Sequence, residues 1–206
     1  MRVLLTAFDP YEQWPSNSSW LAMVEYLRTR DTNADLTTRR YPVDLAAMQS
    51  KLYDDLKRGF DAIVHLGQAP GAGVVRLESF ALNVGGSIEN TGGELPLLVD
   101  SAPWAYRSSL PLGKWSEKLR QARVPACVSY HAGTYLCNAI MYLSHHWHAE
   151  RRLDVPIGFV HLPLASEQVS VEGPQLPSLP LSTLARAIQV IMSEIELVDN
   201  FRGELV

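Results

Sequence analysis

Several things are scarce in this chain, and each scarcity removes a class of protein. Only 2 of its 206 residues are cysteine, Cys127 and Cys137. That is too few for a disulfide scaffold, so a reducing, cytoplasmic setting is expected. No apolar run approaches the length of a membrane span, and no membrane partner is expected. The apolar opening stops at Asp9-Pro10, too soon for a signal peptide, and reads as a first buried strand. Charge of one sign is nowhere concentrated: the net charge is −4, and Arg39-Arg40 and Arg151-Arg152 are isolated pairs. A nucleic-acid partner is therefore not expected. The glycine-rich stretch 67–73 has neither G-x-G-x-x-G spacing nor a helix after it, which excludes a dinucleotide or phosphate loop. Ser129 has no G-x-S-x-G elbow around it and is not read as a nucleophile.

What is present is a core. Hydrophobic residues make up 47% of the chain, enough for one sizeable domain over residues 1–206. Strand patterns at 3–8, 36–41, 62–66, 76–83, 126–130 and 157–162 alternate with helical patterns at 18–30, 45–58, 114–123, 136–148 and 182–197. The alternation predicts a three-layer α/β/α fold around a twisted, mostly parallel, mixed sheet. Near-continuous apolar runs such as 157–160 fit strands buried on both faces. The segment 85–93 reads as a turn-rich excursion and 169–180 as a Pro-containing loop. In open α/β sheets ligands gather at the carboxyl ends of strands. Residues 8–11, 65–73, Cys137 and His161 are expected to meet along that rim.

Cys137 is the first candidate for chemistry. A β-like run over 124–130 stops at Ala132-Gly133, after which Tyr135, Leu136, Ile140 and Leu143 recur at helical spacing. Cys137 thus falls about one turn into a helix, where free N–H groups and the positive end of the helix dipole favour a sulfur anion. The bland reading is a buried structural thiol, the role assigned to Cys127 inside its apolar strand. His161 closes the run G-F-V-H-L-P-L, placed either as a structural histidine or as an acid–base group titrating near neutral pH. Glu78, between Leu77 and Phe80, must face solvent on an edge or carry a buried partner. A histidine is such a partner, and a carboxylate orients an imidazole in nucleophile–base–orienter sites. His145-His146-Trp147-His148 invites a metal site, but no carboxylate or cysteine completes a ligand set. It reads as a polar face near a helix end.

With these residues in view, the chain resembles the pyroglutamyl peptidase I family, the pyrrolidone carboxylate peptidases. A-G-T-Y-L-C-N (132–138) is similar to the family's nucleophile motif, and F-V-H-L-P-L-A-S-E-Q (159–168) to its histidine motif. L-E-S-F-A-L-N (77–83) aligns the acid with Glu78, L-L-T-A-F-D-P-Y (4–11) resembles the family's opening, and H-L-G-Q-A-P-G (65–71) its central loop. The five occur in the family's order across nearly the whole chain. The resemblance implies a cysteine exopeptidase that removes N-terminal pyroglutamate, with Cys137 as nucleophile, His161 as acid–base and Glu78 as orienter. It implies Phe8 and Tyr11 as walls of the lactam pocket, Gln68 lining it, and the 85–93 segment helping to cover it. Backbone N–H groups at the helix start would hold the oxyanion. No metal or organic cofactor is required, the partners are pyroglutamyl peptides, and a homotetramer follows by analogy.

The chain also departs from the family pattern. Glu12-Gln13 stand in place of two glycines, Tyr11 in place of a second Phe, Ala72 in place of an Arg that Arg76 would replace, and Glu89-Asn90 in place of Asp-Asn. These changes bear on substrate affinity and keep two other readings open: a thiol amidase with altered lactam preference, and a silent binding protein of the same fold.

Overall fold

The computed structural model of the chain describes residues 1–30, 35–86, 95–169 and 175–203, apart from the side chains of 198–203. Its frame is a six-stranded sheet. β1 (Arg2–Phe8), β2 (Asp35–Tyr41), β3 (Ala62–Gln68), β4 (Val75–Glu78), β7 (Ala126–Ser129) and β8 (Ile157–Leu162) lie in the order β2-β1-β3-β8-β4-β7. Strands β2, β1, β3 and β8 are mutually parallel. β4 runs antiparallel to β8 and carries β7 parallel to itself. The sheet is therefore mixed and mostly parallel.

Strand alternation feeds two apolar layers. Val3, Leu5, Ala62, Val64 and Leu66 point to one face. There they meet helices α1 (Ser18–Thr29), α3 (Leu112–Gln121) and α5 (Leu181–Gly203). Leu4, Phe8, Ile63 and Phe159 point to the other, covered by α2 (Leu45–Leu56) and α4 (Leu136–Glu150). Helix starts are fixed locally: Asn17 Oδ1 accepts the Ser19 N–H at the head of α1, and Asp44 accepts the Ala47 N–H at the head of α2.

The run expected as one strand over 76–83 is broken at Ser79. β5 (Phe80–Leu82) leaves the main sheet to pair antiparallel with β6 (Ala105–Arg107), a strand the sequence pattern does not reveal. A short parallel pair, β9 (Leu164–Ala165) with β10 (Ser178–Leu179), follows β8. Among the described residues no helix is long and apolar enough to cross a membrane.

Candidate active site

Helix α4 begins at Leu136, so Cys137 is its second residue. Tyr135 occupies the N-cap without a side-chain hydrogen bond, which leaves the first-turn N–H groups free for another acceptor. The chain reaches this start through Gly133 at φ +79, a conformation that costs a residue with a Cβ roughly 1–2 kcal/mol. Beneath the helix lies Gly67 of β3. A Cβ at that position would stand 2.9 Å from Cys137 Sγ and 2.6 Å from Phe159 Cζ. Only a glycine lets the sulfur settle on the sheet. Gly67 pairs with His161 of β8, so thiol and imidazole arise from laterally adjacent positions.

His161 Nδ1–H donates to Glu78 Oε1 at 2.8 Å, leaving Nε2 for Cys137. Glu78 is 1% exposed. Because β4 is antiparallel to β8, Glu78 lies opposite Phe159, two residues deeper than His161. Its second oxygen, Oε2, is buried without a partner among the described residues. Burial alone would lower the basicity of His161. The charge and hydrogen bond of the Cys137 sulfur, together with those of the Glu78 carboxylate, outweigh it, so the imidazole pKa is raised to about 9. The sequence-predicted Cys137, His161 and Glu78 thus come together, though not along one carboxyl-end rim. That rim exists for β1, β3 and β8, whereas Glu78 and the approach to Cys137 arrive from the reversed strands β4 and β7.

The three residues open onto a cleft of about 690 Å³ whose lining includes Phe8, Tyr11, Gln68 and Arg76. The Tyr11 phenol lies beside both the Gln68 amide and the Cys137 sulfur, and burial above all pushes its pKa up to about 12. Gln68 is 5% exposed. Its Oε1 accepts from the Ser18 N–H at 2.7 Å and from Gln168 Nε2 at 2.9 Å, which fixes the amide's orientation. Its Nε2 is buried beside the Tyr11 hydroxyl, which feels it as a hydrogen-bond donor, and has no well-formed hydrogen bond to any described residue. A buried donor left unpaired in a cleft is a place for an acceptor on a ligand.

Sequence reasoning missed the residues that hold these groups. Gln168 is locked by the Ala165 N–H and by Ser16 O and thereby positions Gln68. Asn138, fully buried beside Cys137, accepts the Leu82 N–H and donates to Leu82 O and Val84 O. It ties the head of α4 to the end of β5 and the chain just after it. Asn83 similarly binds Leu98 N–H, Val99 N–H and Val99 O. Both asparagines and Gln168 stand inside the quoted motifs, and that was the available clue.

Three expectations are corrected. His65 is not on the rim but in mid-strand, 0% exposed, paired with Thr6 Oγ1 at 2.8 Å and Ser144 Oγ at 2.9 Å. The α4 histidines are not a polar surface. His148 is buried and donates to Ser144 O, and His145 has a buried Nε2 without a partner among the described residues. Burial first, and then their mutual charge, lower His65 to about 3 and His145 to about 4. Cys127 is half-buried on the edge strand β7 rather than in the core. Ala72, where the family carries Arg, is 1% exposed and turned away from solvent. Gly86 lines the cleft, but residues 87–94, including Glu89-Asn90, lie outside the described residues. Among the described residues no three His, Cys, Asp or Glu side chains gather where they could hold a metal ion.

A mixed α/β sheet carrying a thiol, an imidazole and a carboxylate in one cleft defines a hydrolase of the cysteine-nucleophile kind. The sequence profile of the family described as pyroglutamyl peptidase matches residues 1–197. A pyrrolidone-carboxylate peptidase of Staphylococcus carnosus is 32% identical over 95% of this chain and 93% of its own. One from Thermococcus onnurineus is 35% identical over 93% and 97%. The crystal structure of a pyrrolidone carboxyl peptidase from Fervidobacterium islandicum superposes with a TM-score of 0.87 at 30% identity, over 95% of this chain and 98% of that one. The chain belongs to the pyroglutamyl peptidase family, a family of cysteine peptidases.

Proposed function

We infer that the protein is a cysteine exopeptidase that hydrolyses the amide bond after an N-terminal pyroglutamyl residue. The observation that carries the reading is the slot in which the Tyr11 phenol lies near both the reactive-site sulfur and the buried amide of Gln68, whose NH2 makes no well-formed hydrogen bond to a described residue and has donor capacity left for a ligand. A lactam is neutral, with a flat apolar ring and one amide edge. Phe8 and Tyr11 supply walls, and Gln68 Nε2 supplies a donor for the ring carbonyl. A prolyl ring leaves that donor unpaired, and loss of a buried hydrogen bond of this kind discriminates strongly.

The chemistry follows from the placement of the other three residues. The Cys137 thiolate attacks the carbonyl carbon, and the first-turn N–H groups of α4 take the developing oxyanion. As the tetrahedral species collapses, His161 Nε2–H passes its proton to the departing amine, giving a thioester on Cys137. Water then attacks the thioester and returns a proton to His161, releasing pyroglutamate and the thiolate. Glu78 holds the imidazole's orientation and supports its charge. These steps call on no metal or organic cofactor.

A cytoplasmic location is supported by two cysteines that are both free. For a homotetramer, Trp104 at 77% and Tyr130 at 73% exposure offer apolar surface for self-association; light scattering reads that mass directly.

The test of the activity is turnover of a pyroglutamyl fluorophore amide against its prolyl counterpart. Cleavage confined to the pyroglutamyl amide and abolished by Cys137→Ser is expected. Equal turnover of both contradicts the reading. The phenol of Tyr11 beside Gln68 favours a second one, an amidase with relaxed lactam preference. In that case Tyr11→Phe sharpens the selectivity for pyroglutamyl over prolyl.

A further inference from the structure

We propose that Arg76 forms a carboxylate-binding subsite on the leaving-group side of the cleft, so that the preferred substrates carry a carboxylate on the residue after the scissile bond. The inference rests on the peptidase reading and adds a substrate class to it.

Strand register sets the order of groups across the cleft. Thr6 pairs with His65, which puts Phe8 level with Gly67. Gly67 pairs with His161, and His161 pairs with Arg76. One row therefore reads Phe8, Gly67 with the Cys137 sulfur above it, His161, Arg76. The lactam lies to the Phe8 side of the sulfur. The amine that His161 protonates lies to the other side, and the residue attached to that amine extends toward β4. Neighbouring strands are about 4.8 Å apart, and an α-carboxylate carbon lies roughly 2.5 Å from its own amine nitrogen by bond geometry. The long Arg76 side chain needs no rearrangement of the fold to meet it.

The charges agree with that order. Among the described residues Arg76 is the only lysine or arginine lining the cleft, and its side chain is exposed. It has no ion pair or hydrogen bond within the described residues. Glu78, two residues along the same face, is already matched to His161 at 2.8 Å. Glu12 stands at the opposite end, close enough to Tyr11 to act on its phenol. The cleft thus carries negative charge where the neutral lactam enters and an unsatisfied guanidinium where the leaving residue sits. A guanidinium matches a carboxylate with two parallel hydrogen bonds. Two sources have this chemistry: the free α-carboxylate of a pyroglutamyl dipeptide and an acidic side chain on a longer peptide.

Two matched pairs separate them: pyroglutamyl-alanine against its C-terminal amide, and pyroglutamyl-aspartyl amide against pyroglutamyl-asparaginyl amide. The wild-type protein is expected to favour the carboxylate member of at least one pair by about tenfold in kcat/KM, the scale of a charge-assisted pair, mostly through KM. That ratio shrinks as salt is raised. In Arg76→Gln it collapses toward one, and in Arg76→Glu it inverts, with pyroglutamyl-lysyl amide now preferred. The first pair responding alone assigns the subsite to α-carboxylates, the second alone to acidic side chains. Equal cleavage within both pairs, or a preference that survives Arg76→Gln, overturns the subsite while leaving the peptidase reading intact. Failure to cleave any pyroglutamyl substrate removes both.

Discussion

His161 is where local chemistry decides the behaviour of the site. Its imidazole is held charged by the Cys137 sulfur and by Glu78 against the opposing effect of burial, which raises its pKa to about 9. On the proposed mechanism, the proton needed by the leaving amine is in place below that pH and gone above it. For peptide amides, kcat/KM is therefore expected to fall as pH rises through about 9. Glu78→Gln keeps the shape but removes the charge. That substitution is expected to move the alkaline limb to lower pH and to cut kcat by roughly 10²–10⁴, the scale of lost acid–base assistance. A pH profile of the two proteins checks it. An alkaline limb unmoved in Glu78→Gln would show that the carboxylate does not act through the imidazole.

At the level of elements, the contact that matters is the head of α4 on β3. The helix approaches closely because residue 67 has no side chain, and Asn138 holds its first turn to Leu82 and Val84. Gly67→Ala puts a methyl group against both Cys137 Sγ and Phe159. Overpacking of this kind costs about 1–3 kcal/mol, and a displaced nucleophile costs roughly 10² in rate. Both are expected here, read as a lowered denaturation midpoint and a lowered kcat. An alanine variant with full kcat would mean that the sulfur does not rest on the strand.

Much of this was legible beforehand, because it is periodic. Five helices and six strand patterns follow from apolar spacing, and Cys137, His161 and Glu78 carry local clues to their types. The direction of β4 was not legible, since a four-residue strand such as VRLE reads alike in either sense and only long-range pairing with Phe159 and His161 orients it. Nor was β6, whose partner is more than 20 positions earlier in sequence. The α4 histidines were misread for a related reason. Their surroundings include His65 and Thr6, strand residues that come from the other end of the chain, and Ser144 reaches His65 across 79 positions.

For the molecule as a whole, these histidines set the acid side of stability. His65 and His145 are held neutral in the fold, with pKa values lowered to about 3 and about 4. Unfolded histidines bind protons below about 6.5. Stability from this cluster is then present above that pH and is lost as pH falls from about 6.5 toward 4. His161 acts in the opposite sense, stabilising below about 6.5 and losing that contribution as pH rises through about 9. The thermal midpoint is expected to decline in both directions, and His145→Gln to flatten the acid side. A midpoint that stays level from pH 7 to pH 4 would contradict the buried-cluster account.

The central claim is that one thiol, seated over Gly67 and served by His161, becomes acylated. A pyroglutamyl activated ester, mixed rapidly with the protein, quenched in acid and mapped by mass spectrometry, tests this most directly. The account predicts one pyroglutamyl group per chain, on Cys137, formed within the first turnover and absent in Cys137→Ala. Turnover with the adduct on another residue, or with the Cys137→Ala protein still active, would contradict it.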